Sequence, residues 1–198
     1  MIDHVFAQFV GSLRGSFERA LLQRQAVEER FQVDVFLGDV SFETSYSLPG
    51  ERRPARIRAD VSLDWPTWSQ STYRSIIIGD DVDELPEVLV EIAVRVQELR
   101  EVPDVGRFLA ALPDDLEVLG EPLRRSVPTV EQVLAHGEDG PVAAVEVSYE
   151  GSCPFDEDIL EHPAKLDDAL LPLGRAVASI LVRMGDLPFA FRQADRPS

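Results

Sequence analysis

From Phe31 to Ile78 apolar and polar residues alternate over long stretches, a pattern that buries one face of an extended strand and leaves the other to solvent. Phe31, Val33, Val35 and Leu37 are apolar at odd positions, whereas Val40, Phe42, Tyr46 and Leu48 are apolar at even ones. A tight turn at Gly38-Asp39 reconciles the two sets. With these as its central residues, Leu37 faces Val40, Val35 faces Phe42, Val33 faces Thr44 and Phe31 faces Tyr46, all on one side. Such a type II′ turn requires positive φ at Gly38; the alternative is one long strand with a bulge there. Ile57, Ala59, Val61, Leu63 and Trp65 then alternate with Arg56, Arg58, Asp60, Ser62 and Asp64. Pro66, which has no N–H, ends that strand, and a further strand is expected from Ser69 to Ile78, with Ile76, Ile77 and Ile78 buried on both faces.

The rest of the chain reads mainly as helix. Val5, Phe6, Phe9, Val10, Leu13, Phe17, Leu21 and Leu22 recur at three- and four-residue steps, so the first thirty or so residues are expected to form an amphipathic helix ending before Phe31. Leu85, Val88, Leu89, Ile92, Ala93, Val96 and Leu99 form a second helical stripe, with Asp83 as its cap and Pro86 in its first turn. A short helix is expected from Pro103 to Leu109, ended by Pro113-Asp114-Asp115; no period is evident from Leu116 to Val127, and Pro128 to His136 reads as helix. Val142 to Tyr149 is a strand expected to join the first sheet. After a loop holding Gly151, Cys153 and Pro154 come a short acidic helix and a long one on which Leu166, Leu170, Leu173, Val177, Ile180, Leu181 and Met184 share a side, Pro172 marking a kink or restart. The expected fold is therefore α+β: a single domain over 1–198, with an antiparallel β-meander of about five strands against a layer of helices and long helices near both ends. Residues 193–198 read as a fraying polar tail.

Composition narrows the function classes. A chain of 198 residues is long enough for a core that buries roughly 70% of its unfolded surface without staples. No apolar run is long enough to span a bilayer, and Met1-Ile2-Asp3-His4 does not open a basic-then-apolar signal peptide, so neither membrane residence nor signal-directed secretion is expected. Cys153 is the sole cysteine, which excludes an intramolecular disulfide and a four-thiolate zinc site and fits a reducing cytoplasm. The formal net charge of -17 repels nucleic acid and anionic lipid and attracts a protein with a basic surface. Lys165 is the only lysine among 19 basic residues, a skew toward arginine that suggests a GC-rich coding genome rather than a binding site.

Candidate chemistry is sparse. His4, His136 and His162 form no metal-binding spacing with one another; the nearest approach to a metal site is Asp158 with His162, four apart near Asp156, Glu157 and Glu161. Acids in a first helical turn, however, ordinarily complement the macrodipole. Cys153 with His136 or His162 has the residue types of a nucleophile and base but no surrounding signature, and all three are expected to be dispensable. Asp80/Asp81 and Asp114/Asp115 sit where turns favour aspartate. Phosphate-loop, dinucleotide-fingerprint and nucleophile-elbow motifs are missing. No cofactor is implied. The reading that follows is a cytoplasmic, non-catalytic protein-binding module of immunity, inhibitor, chaperone or adaptor type. The alternatives are a small enzyme or ligand carrier with a carboxylate/histidine site between sheet and helices, and a nucleic-acid mimic. Trp65 falls on the apolar side of its strand, while Trp68 lies beyond the proline as either a lid on the core or an anchor for a partner. Trp68 and Gln70, with Asp80 and Asp81, are the candidate partner-binding residues.

Overall fold

A computed structural model describes residues 2–22, 27–36, 38–50, 54–134, 141–154 and 163–192. Within them, helix α1 (Ile2–Leu22) precedes strands β1 (Val27–Phe36), β2 (Asp39–Ser47) and β3 (Ile57–Trp65). Helix α2 (Thr67–Ile78), strand β4 (Glu87–Leu99) and helix α3 (Val105–Ala110) follow. Strands β5 (Asp115–Val118), β6 (Glu121–Arg125), β7 (Thr129–Leu134) and β8 (Pro141–Pro154) then lead to helix α4 (Pro163–Gly185). The fold is α+β. All the strand pairs are antiparallel, in one eight-stranded sheet ordered β1-β2-β3-β4-β8-β6-β5, with β7 beside the first half of β8. There are more strands than the meander expected from the sequence, because β4, β5, β6 and β7 lie where helix or no period was expected, while Ser69 to Ile78 leaves the sheet.

The first helix stops at Leu22, and Val27 to Arg30, expected as its end, already belong to β1. Ser69 to Ile78 is helix rather than strand. Its N-cap position is Pro66, which offers no side-chain cap; the cap is supplied from β2 instead, where the Asp39 carboxylate accepts from Thr67 N–H at 2.6 Å and Thr67 Oγ1 at 2.7 Å. Gly79, at φ 87°, closes the other end. Ile77 and Ile78 are consequently exposed, not buried in a sheet. The reverse exchange occurs at β4. Val88, Val90, Ile92, Val94 and Val96, taken at a two-residue period, are all buried in the middle of the sheet. The helical stripe drawn through Leu85 and Leu89 puts two exposed residues in its supposed core. Likewise Thr129 to Leu134 is strand, and the segment without a period is the β5–β6 hairpin, turning at Leu119 and Gly120, both with positive φ.

At the first hairpin Gly38 has the expected positive φ, 95°, but Phe36 pairs with Asp39, so Gly38 is the second central residue of the turn and not the first, as a type II′ turn would have it. The turn therefore lies one residue earlier than expected and Asp39 begins β2; Leu37 lies outside the described residues. Val35 pairs with Val40 and Val33 with Phe42, a register two residues away from the one expected. Cross-links to α2 accompany this register: the Asp39 carboxylate holds Thr67, and Gln70 Nε2 donates to Gly38 O at 2.8 Å.

One sheet face is covered by α1 and α4 lying side by side. Phe6 stacks on Trp65 at 5.6 Å and Phe17 on Tyr46 at 5.0 Å, while Leu170, Leu173, Val177, Ile180 and Leu181 of α4 are buried as the sequence stripe requires. Gly174 lets the helices approach closely, since a Cβ there would lie 3.2 Å from the Phe17 Cα. The opposite face carries Ser45, Arg58, Asp60, Glu91, Arg95, Glu146 and Ser148 in a polar lattice: Arg58 bonds Asp60 at 2.8 Å, Arg95 bonds Glu146 at 3.0 Å and Ser148 bonds Glu91 at 2.7 Å.

Candidate functional site

Trp68 stands in the first turn of α2, and its surroundings follow from the residues on either side of it. Ser69 is fully buried: its hydroxyl accepts from Trp65 Nε1 at 3.0 Å and from Glu87 N–H at 2.8 Å, and donates to Glu87 O at 2.7 Å. One hydroxyl thus fastens the start of α2 to the start of β4 and to the indole of the core tryptophan. Gln70, a candidate binding residue from the sequence, is also buried; its amide donates to Gly38 O and to Trp65 O. It is a strut beneath the corner and contributes no exposed rim. Between these buried anchors and the exposed Thr67, the helix directs Trp68 outward, where it remains 46% exposed. It is no lid on the core.

An open cleft of ≈ 420 Å³ lies beside the indole, lined by Trp68, Glu84, Leu85, Glu87 and Pro154. Leu85 is 55% exposed, and Leu89, two residues beyond Glu87 on the same face of β4, is exposed too. Several large apolar groups therefore meet water at one end of the sheet. Asp80, Asp81, Asp83 and Glu84 are exposed on the connection from α2 to β4, and the described residues of that connection carry no basic side chain. An indole on α2 and a leucine on the connection that follows, with carboxylates around them and exposed Leu89 further along β4, suit the apolar face of a peptide or helix that also carries arginine or lysine.

The other sequence candidates are dispersed. Cys153 is fully buried opposite Val88 in the β4–β8 ladder, and burial, together with Glu121 and Glu87, pushes its thiol up to about 12. At neutral pH that sulfur is a protonated core atom and no nucleophile. Asp158, His162 and His136 lie outside the described residues, as do Asp156, Glu157 and Glu161. Asp114 accepts from Arg125 at 2.6 Å, while the same guanidinium reaches Leu109, Leu112 and Pro113 carbonyls, so the aspartate serves the α3–β6 junction. Asp115 opens β5. Among the described residues no three histidine, cysteine or acidic side chains gather as metal ligands.

A second concavity, of ≈ 550 Å³, lies on the polar sheet face and is lined by residues including Glu43, Ser45, Arg58, Asp60, Ser62 and Glu91. Asp60 there is engaged by both Ser45 and Arg58, and Glu91 by Ser148. It differs in place from the site expected between sheet and helices, a space filled by packed apolar side chains.

Sequence reasoning missed Leu85 and Leu89, because a helical period assigned both to a buried stripe. The signal that finds them is the two-residue period of Val88, Val90, Ile92, Val94 and Val96, which leaves the leucines over. No family model, curated protein or solved structure matches this chain. No helix among the described residues is long and apolar enough to cross a membrane.

Proposed function

We propose that this protein is a non-catalytic binding module that receives an apolar, basic segment of a partner protein at the Trp68 cleft, in the manner of an immunity protein, inhibitor, dedicated chaperone or adaptor. The observation that carries the reading is Trp68: nearly half exposed, on a turn fixed by buried Ser69 and Gln70, beside exposed Leu85. Folding alone gives no reason to hold an indole in water on so rigid a support, whereas tryptophan is favoured at binding hot spots. The net charge of -17 supports a basic partner by accelerating encounter, and Asp80 and Asp81 are assigned to that outer field rather than to direct contact. A cytoplasmic setting belongs to the same proposal, in keeping with a lone, buried thiol.

The test is capture from the host proteome with wild-type protein and Trp68→Ala in parallel, followed by kinetics on any protein retained by the first and lost by the second. The reading expects a partner whose association rate falls steeply with salt while its dissociation rate changes less. A folded Trp68→Ala protein that captures the same set as wild type contradicts it.

A further inference from the structure

The strands whose outer sides are unpaired among the described residues are built differently. β1 carries Glu28, Glu29, Arg30 and Asp34, and its register shifts between Glu28 and Arg30; β5 is four residues long. Charge, irregularity and shortness are the usual means by which an edge discourages further pairing. β7 (Thr129–Leu134) is longer and regular, and Glu131 is its one charged residue. It is six residues long, pairs with β8 without a break in register, and contains neither proline nor lysine. Residues 129–133 are exposed whichever face they occupy, so no described element covers either side of the strand. Val130 is 40% and Val133 64% exposed, and Val127, just ahead of the strand, is exposed as well.

We propose that β7 is a docking edge, distinct from the Trp68 cleft, onto which an extended segment of a partner protein with alternating apolar and basic residues adds as a further strand. Main-chain groups on the outer side of β7 would give the affinity, and the side chains the preference. Charge chooses the occupant. On the polar sheet face Glu131 and Glu146 share the single guanidinium of Arg95, at 2.6 and 3.0 Å, leaving carboxylate in excess beside the edge for an arriving arginine or lysine. A second copy is disfavoured, because two chains of net charge -17 would have to meet.

The test uses an end-blocked peptide of about eight alternating valine and arginine residues, and the same peptide N-methylated at alternate amides, which keeps the charge and removes strand pairing. The expected result is saturable binding of the first peptide alone, with slowed amide exchange in residues 129–134. The double variant Val130→Lys/Val133→Lys, checked to melt like wild type, should lose about tenfold or more in affinity, whereas Trp68→Ala should bind this peptide normally. Equal binding of the N-methylated peptide, no binding of either, or protection confined to residues 68–89 overturns the proposal. So does a wild-type dimer in sedimentation that the lysine pair disperses, since the occupant of the edge would then be a second copy.

Discussion

Trp65 and Trp68 stand on either side of Pro66 and meet opposite fates. Trp65 ends a strand whose alternate residues are all buried; it is fully enclosed between Phe6 and Tyr73, and its indole N–H is satisfied by Ser69. Trp68 begins a helix, and the side chains after it, Ser69 and Gln70, take the inward places. The hydroxyl and amide that complete the first tryptophan's environment thus also fix the second outside it. Local residue type therefore does not decide burial here; the change from a two-residue to a helical period at Pro66 does.

The sharpest way to break that contrast is to remove the buried ring. Trp65→Ala is expected to lower unfolding free energy by roughly 3–5 kcal/mol, read by denaturant or thermal melting; a loss below about 1 kcal/mol would show the corner is not part of the core. Next is the turn beneath it. Gly38→Val places a β-branched residue at φ 95°, with its Cβ 3.0 Å from Thr67 Oγ1, and is expected to destabilise by roughly 1–3 kcal/mol; an unchanged melt would refute the turn geometry. A smaller effect is expected at Asp39. The bonds from the Thr67 side chain and then its backbone N–H hold the Asp39 carboxyl below its ordinary value of 3.8. Its folded pKa being depressed, it stabilises the fold above that value, and the contribution fades as pH falls through the lower, folded value. The melting difference between wild type and Asp39→Asn should accordingly be present at pH 7 and shrink below pH 3.8. A difference independent of pH would remove the carboxylate from the helix cap.

How much of this was legible in the sequence depends on whether one period or two ran through a segment. β3 has only one, and its alternation from Ile57 to Trp65 is reproduced residue by residue. The long helix near the end of the chain is equally plain from Leu166 to Met184. Val88 to Leu99 carries both periods at once, since Val88, Ile92 and Val96 fit either; the intervening Val90 and Val94 decide for strand, as their β-branched side chains suit a pleated sheet. Ser69 to Ile78 ends in three isoleucines and suggests strand by propensity, yet its helix is set by tertiary bonds to Asp39 and Gly38, which no local pattern contains. The same contacts explain the candidate site. Trp68 stood out as a second aromatic beyond the proline, whereas the buried role of Gln70 needed the hairpin to be in place first.

The central claim, that Trp68 serves binding rather than folding, is tested most directly by measuring Kd for the captured partner and thermal melting on the same Trp68→Ala preparation. The account predicts a melt within about 0.5 kcal/mol of wild type and binding weakened by roughly 2 kcal/mol or more. A Trp68→Ala protein destabilised as much as Trp65→Ala, or one that binds the partner with unchanged Kd, would contradict it.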